Sequence, residues 1–248
     1  MIDILLQHRT IRKYSDKPVD DQLLKTILEA GCRASTTGNM QVYSIVVTRD
    51  NAMKEKLAPL HFNQPMVKTA PVVLTFCADF NRFNQWCEAR QANPGYDNFL
   101  SFTTAAIDAL LVAQNVAVAA ESQGLGICYL GTTTYMAHQL IELLQLPKGV
   151  VPVTTITMGW PDGMPDQIDR LPLEAVVHYE TYTDFTPERL DAIYREKEAR
   201  ADNRKFVAEN GKESLAQVFT DVRYKKADNV AFSKMFLEVL AKQGFMNQ

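Results

Sequence analysis

The 248-residue sequence lacks the patterns that mark metal-binding and disulfide-stabilised proteins. Its four cysteines are widely spaced with no CxxC pair, and its four histidines are scattered with no HExxH motif. No metal site and no disulfide framework are therefore expected. Reduced, mostly buried thiols in a cytoplasmic protein are the default for such a pattern.

Two nucleotide-binding motifs are absent as well. There is no GxxxxGK[ST] phosphate loop, and the glycines of GLGICYLG (124–131) follow a helix and lead into a strand. A Rossmann fingerprint requires the reverse order, strand then helix, with GxGxxG spacing. A nicotinamide cofactor is consequently not expected to be held by a Rossmann domain.

Positive charge and long apolar runs are also scarce. The net charge of −3 argues against nucleic acid as a partner, since binding to a phosphate backbone needs a basic surface. No run approaches the roughly 18 uncharged apolar residues of a membrane span, and MIDILLQHRT does not resemble a signal peptide. Neither a membrane nor a nucleic acid partner is expected.

The order of predicted elements indicates an α+β fold with more helix than strand, in one domain covering 1–248. Strands are predicted at 42–48, 70–79 and 151–161, with a short extended piece at 176–178. The segment 98–123 is apolar on nearly every side, which is typical of a core helix or of a subunit interface. Thr186 and Pro187 predict a helix start, and about 186–248 is expected to form a charged helical excursion and C-terminal extension.

What the sequence does contain is a basic stretch at its beginning, QHRTIRKYSDKP (7–18). Arg9 and Arg12 are spaced to share one face of a helix or turn, and guanidinium groups match phosphate geometry. A solvated basic turn is the alternative, because short basic motifs have many false positives. The small polar segment STTG (35–38) similarly suits either a helix cap or a ligand.

Five segments occur in an order that resembles the FMN-dependent nitroreductase superfamily: HRTIRKY, ASTTGNMQVYSIV, FCADFNR, AESQGLGICYLG and MGWPDGMPDQIDRLP. The resemblance covers about residues 1–180 and is closest to the larger branch. That branch includes the oxygen-insensitive NADPH nitroreductase of enteric bacteria and the NADPH-flavin reductase of luminous bacteria. The resemblance implies a central, mainly antiparallel sheet flanked by helices, in an intertwined homodimer with FMN at the subunit interface.

The resemblance also implies which residues bind FMN. The basic stretch would hold the phosphate and ribityl chain, the loop 36–39 would approach from the partner subunit, and the backbone N–H of Gly131 would lie beside flavin N5. No catalytic side chain is implied, because the flavin carries the chemistry. The positions carried over are His8, Arg9, Thr10, Arg12, Thr36, Thr37, Gly38, Asn39, Gln64, Tyr129, Leu130, Gly131, Thr132 and Arg170.

Two features near and beyond the end of the segment that resembles the family concern positive charge. Ile168 stands where this branch usually carries a lysine, which predicts a weaker hold on the cofactor. Arg200, Arg204 and Lys205 fall in the region that would bind the 2′-phosphate of NADPH, with a solvated helix end as the alternative. NADPH is the expected electron donor, and NADH is the alternative.

The implied activity is two-electron, ping-pong hydride transfer from NAD(P)H through FMN to a small-molecule acceptor. Nitroaromatics, quinones and free flavin are the expected acceptor classes, and the sequence does not choose among them. One alternative is a flavin-binding protein that sequesters FMN with little turnover. Another is a relative with a different flavin reaction, such as ring fragmentation or reductive dehalogenation.

Overall fold

The computed structural model describes residues 2–247, which form two compact units. The first unit runs to Asp166 and resumes at Phe232, and the second comprises Gln167–Ala231. The single domain over 1–248, with an extension from about 186, stays a prediction.

The first unit is built on a sheet in which every neighbouring pair of strands is antiparallel. Its strands, in spatial order, are β1 (Tyr43–Thr48), β2 (Val72–Asp79), β4 (Val150–Gly159) and β3 (Gly126–Leu130). β2 is buried along its whole length, as expected for a central strand covered on both faces by helices. The predicted α+β fold with an antiparallel sheet is confirmed.

Helices surround this sheet. In chain order they are α1 (Ile2–Leu6), α2 (Asp21–Gly31), α3 (Asn51–Leu60), α4 (Pro65–Thr69), α5 (Asn81–Glu88), α6 (Phe99–Ser122) and α7 (Ala137–Leu143). α2 begins where Asp20 accepts hydrogen bonds from the backbone N–H groups of Gln22 and Leu23, which satisfies two otherwise unpaired donors. α4 and α5 are short, and the sequence patterns did not predict them.

The long helix α6 lies at the centre of the fold, as its all-round apolar composition predicted. Asn98 caps its start by accepting from the backbone N–H of Ser101, and Gly124 follows its end with φ at +82°. By length and composition alone, α6 is also long and apolar enough to cross a membrane, although Asp108 interrupts its apolar residues. α6 contains an 18-residue window of mean hydropathy 1.5 with 44% of that window buried. A core helix of a soluble protein has the same composition, so length and hydropathy do not place α6 in a membrane.

The second unit consists mainly of helices. They are α8 (Pro187–Ala199), α9 (Ala201–Glu209), α10 (Leu215–Gln217), a π-helical turn (Val218–Arg223) and the start of α11 (Lys226–Gln243). The helix start predicted at Thr186 is confirmed, since its hydroxyl accepts from the backbone N–H of Arg189. The extended piece predicted at 176–178 is wrong, because a 3₁₀ turn (Leu173–Ala175) and an irregular segment occupy this region.

Candidate active site

The basic stretch lies extended along the edge of the sheet. Thr10 forms a parallel bridge with Ile127 of β3, and the backbone N–H of Ile11 donates to the Ile127 carbonyl at 2.9 Å. The predicted helix or turn over the two arginines is therefore wrong, since α1 ends at Leu6. β3 is an edge strand, so the backbone groups on its outer side are unpaired within the sheet. The basic stretch pairs with these groups when it is extended, and it would not do so as another helical turn.

A glycine in β3 allows this close approach. A Cβ atom at Gly126 would lie 2.4 Å from Cγ1 of Ile11, so any larger residue would push the basic stretch away from the strand. Tyr14 fixes the other end of the stretch, with its hydroxyl 2.8 Å from Thr157 Oγ1. The positive charges are thus held at a defined position beside β3.

The side chains of the basic stretch have different environments. His8 Nδ1 lies 2.6 Å from the Glu121 carboxylate, and Arg9 donates to the Gln7 carbonyl at 3.1 Å. Arg12 is exposed and neighbours the thiol of Cys128. Burial raises the pKa of Cys128, and the nearby guanidinium of Arg12 acts in the opposite direction. Of the two arginines in this stretch, Arg12 is exposed and Arg9 is half-buried.

The loop that follows β3 has free space around Gly131. A Cβ atom at Gly131 would meet no atom of the chain within 4 Å, and its φ is not in the left-handed region. Tyr129 and Leu130 belong to β3 itself, and Thr132 is buried directly after the glycine. The backbone at Gly131 is therefore accessible to a ligand because no other part of the chain covers it. Its backbone conformation is ordinary.

Gln64 is connected to this loop through a residue that the sequence did not single out. The side-chain amide of Gln64 donates to the carbonyl of His61 at 3.1 Å, and His61 Nδ1 lies 2.8 Å from Thr132 Oγ1. The basic stretch, the loop after β3 and Gln64 are thereby brought together near one edge of the sheet.

The segment Thr36, Thr37, Gly38 and Asn39 is anchored elsewhere. The backbone N–H of Thr37 donates to Asp108 of α6 at 2.9 Å, and the same carboxylate accepts from Val42 N at 3.4 Å. This segment leads into β1, at the opposite edge of the sheet from β3. Three strand spacings of about 4.8 Å separate the two edges by roughly 14 Å. Sequence patterns missed Asp108, because its partners lie far away along the chain.

The remaining candidate cations lie in the second unit. Arg170 donates to the backbone carbonyls of Ile168 and Asp169, at 3.3 and 3.0 Å. Arg200 pairs with the carboxylate of Asp202 through two hydrogen bonds of 3.1 and 3.0 Å, and it approaches Asp169 at 3.8 Å. Asp169 also accepts from Lys197 at 3.0 Å, so carboxylates neutralise part of this basic group.

The other two candidates follow on α9. Arg204 is exposed, and Lys205 pairs with Glu209 at 3.6 Å across one helical turn. Such an exposed pair contributes little to stability, so a phosphate could displace it at small cost. Within residues 2–247, no group of three histidine, cysteine, aspartate or glutamate side chains is arranged to hold a metal ion.

Comparison with known proteins identifies the family. The sequence profile of the Nitroreductase family matches residues 5–160. The chain belongs to the nitroreductase family. It is 38% identical over 196 residues to an oxygen-insensitive NADPH nitroreductase of Salmonella typhimurium, covering 79% of this chain and 80% of that protein.

Solved structures extend the similarity over the whole chain. A Bacteroides fragilis protein of 55% identity superposes with a TM-score of 0.98, covering 99% of this chain and 100% of that one. The NADPH:FMN oxidoreductase of Vibrio harveyi, solved with NAD⁺, has 28% identity and a TM-score of 0.80, covering 100% and 98%. The nitroreductase fold predicted by resemblance is confirmed.

The first unit offers groups that fit FMN. An exposed guanidinium at Arg12 suits the phosphate, and the unobstructed backbone of Gly131 suits close contact with a flat ring. Gln64 and Thr132 supply polar groups of the kind that pair with the carbonyl and N–H groups of a flavin.

Proposed function

We propose that this protein is an FMN-dependent NAD(P)H oxidoreductase that reduces planar, electron-poor acceptors such as nitroaromatics, quinones and flavins. The observation that carries the proposal is the pairing of Thr10 with Ile127, which holds the basic stretch beside the open glycine loop. A phosphate-binding group and a ring-binding group thus lie at one edge of the sheet. NADPH-dependent activity of named relatives supports the same assignment.

When bound, FMN would supply the two-electron redox chemistry that links NAD(P)H to the acceptor, in a ping-pong sequence. The chain supplies binding and orientation. Arg9 and Arg12 would hold the phosphate and ribityl end, with Thr10 beside them. The N–H of Gly131 would donate at N5, and Gln64 would pair with the pyrimidine edge. We assign the same phosphate-side role to Arg170.

We infer that the site requires a second subunit. The 36–39 loop leads into β1 and the basic stretch pairs with β3, at opposite edges of one sheet, which argues against both groups holding a single phosphate within one chain. α6 meanwhile exposes large apolar side chains, including Leu100, Ile107 and Leu111, at positions that recur on one helical face. Packing α6 against its copy would bury that face, and in such a dimer the 36–39 loop of one subunit would approach the basic stretch of the other. We therefore propose a homodimer with FMN at its interface, located in the cytoplasm.

Steady-state kinetics test this function. Initial rates measured with NADPH and a quinone at several fixed concentrations should give parallel double-reciprocal lines, as a ping-pong sequence requires. Intersecting lines would contradict the mechanism, and absence of turnover by protein that retains FMN would favour flavin sequestration. Nitroaromatic and flavin acceptors, compared in the same assay, rank the acceptor classes.

Replacing Arg12 with alanine should weaken FMN binding by more than about tenfold, because a charge-assisted hydrogen bond contributes about 1.5–3 kcal/mol. Lys13→Ala removes a neighbouring exposed cation and provides the control. FMN affinity is measured by titrating apoprotein and following flavin fluorescence. Equal retention of FMN by Arg12→Ala and wild type would remove Arg12 from the phosphate site.

Substitution of Gly131 by alanine should leave the melting temperature of the apoprotein unchanged, since the added methyl group meets no atom of its own chain. The same methyl group should obstruct the flavin and weaken FMN binding by about tenfold, as overpacking typically costs 1–3 kcal/mol. Thermal unfolding and FMN titration separate the two effects. Unchanged FMN affinity would place the flavin away from Gly131.

We assign Arg200, Arg204 and Lys205 to the 2′-phosphate of NADPH. Arg200→Ala should raise the KM for NADPH by about tenfold while leaving the KM for NADH nearly unchanged, because only NADPH carries the phosphate. Arg195→Ala, on an exposed position of α8, is the matched control. Equal changes in both KM values would exclude Arg200 from this role.

A further inference from the structure

A buried histidine outside the set of expected cofactor ligands joins the two loops of the flavin site. His61 follows α3 and is completely buried, with Nδ1 2.8 Å from Thr132 Oγ1. Its other ring nitrogen, Nε2, is buried and has no hydrogen-bond partner among the described residues. Burial lowers the pKa of His61 to about 4, so the ring is neutral near pH 7.

The unpartnered nitrogen indicates which tautomer is present. A neutral imidazole carries one N–H, and a threonine hydroxyl can either donate or accept. If Thr132 donated to Nδ1, the ring N–H would lie on Nε2, buried and without an acceptor. If Nδ1 donates instead, Nε2 retains only an unused lone pair, and buried acceptors go unsatisfied more often than buried N–H groups. The Nδ1–H tautomer is therefore favoured, and the proton of the Thr132 hydroxyl can point away from the ring.

The backbone of the same residue orients Gln64. The carbonyl of His61 accepts from the Gln64 backbone N–H at 3.2 Å and from its side-chain amide at 3.1 Å. One of the two N–H donors of the Gln64 amide is thereby engaged, which orients the amide and leaves its side-chain oxygen available as an acceptor. The next residue in the chain, Phe62, stacks on Tyr135 with ring centroids 6.4 Å apart, which adds a second contact between the two loops.

We propose that His61 is a positioning residue that sets the hydrogen-bond polarity of the flavin site, making Thr132 a donor and Gln64 an acceptor toward the cofactor. The inference rests on the proposed function. The pyrimidine edge of a flavin alternates carbonyl acceptors with an N–H donor, so it requires partners of both kinds. Because the donor and acceptor groups are already oriented, less conformational entropy is lost when the cofactor binds.

Nitrogen-15 NMR of the apoprotein tests the tautomer directly. We expect a protonated Nδ1 and an unprotonated Nε2 for His61 at pH 7. A protonated Nε2 would overturn the proposal, whether or not the protein binds FMN. This readout does not depend on activity, and it needs no variant.

FMN titration of apoprotein variants tests the effect on the cofactor. His61→Leu and Thr132→Val should each weaken FMN binding by about fivefold, the size of one net hydrogen bond, and the double variant should be no weaker than either single one. His61→Asn, whose amide can donate to Thr132, and Thr132→Ser, which keeps the hydroxyl, should stay within about twofold of wild type. His138→Leu, on the exposed face of α7, is the matched control.

The outcomes separate this inference from the proposed function. Additive effects in the double variant, or wild-type affinity in both Thr132→Val and His61→Leu, would overturn the role of His61 and leave the function standing. Failure of the wild-type protein to bind FMN would instead refute the proposed function. Should His61→Leu not fold, Thr132→Val, Thr132→Ser and the NMR measurement still decide the question.

Discussion

Replacing both Ile107 and Leu111 with aspartate is expected to convert the proposed homodimer to monomers and to release FMN. The two side chains are 51% and 44% exposed on the isolated subunit, four residues apart on α6. About half of each side chain remains to be buried, which contributes about 0.75–1.5 kcal/mol, and the dimer loses four such side chains, two from each subunit, so its dissociation constant rises by about 10²–10⁴-fold. Burial of the new carboxylates without partners increases the effect further.

Sedimentation equilibrium of wild type and variant at matched concentrations measures this change, with bound flavin followed by absorbance. Leu173→Asp makes the same kind of substitution at a leucine that is 68% exposed in the second unit, and it should leave both dimer and flavin intact. A double variant that remains a dimer with bound FMN would show that α6 does not form the interface. A monomer that still retains FMN would show that one subunit suffices for binding.

Acid should destabilise the protein through His61. The pKa of this buried histidine is lowered to about 4, against an ordinary value of 6.5. Because the folded state holds the ring neutral, the unfolded state binds more protons as the pH falls below 6.5, and stability decreases until the pH reaches about 4. Each pKa unit corresponds to about 1.36 kcal/mol, so the full loss is about 3 kcal/mol.

Urea unfolding at pH 7 and pH 4.5 measures this contribution. His61→Asn removes the titrating group while keeping a side chain that can donate to Thr132. Between pH 7 and pH 4.5, the free energy of unfolding of this variant should therefore fall by about 2–3 kcal/mol less than that of wild type. Both proteins must be compared at equal concentration, because dimerisation adds to apparent stability. Equal losses in the two proteins would mean that the ring of His61 is not held neutral.

Local signals predicted part of the secondary structure. The start of α8 follows from the capping residue Thr186, whose hydrogen bond reaches only three residues along the chain. Strand composition likewise located β1, β2 and β4 to within a few residues. Such signals are readable because the physical cause and the structure lie in the same short segment.

Long-range contacts explain what the sequence left unpredicted. The basic stretch resembles a helical segment when read alone, but pairing of Thr10 with Ile127 keeps it extended. Asp108, Glu121 and His61 act on groups that lie 71, 113 and 71 positions away in sequence. Nothing near these residues in the sequence identifies their partners, so the network that supports the site becomes apparent only from the folded chain.

The visible spectrum of the purified protein, followed anaerobically after adding NADPH and, separately, NADH, tests the proposed oxidoreductase activity most directly. We expect bound oxidised flavin whose absorbance bleaches rapidly, and faster with NADPH than with NADH. Flavin that stays oxidised with both nucleotides would contradict the oxidoreductase activity and support sequestration of FMN. Protein that neither contains nor takes up FMN would contradict the flavin site itself.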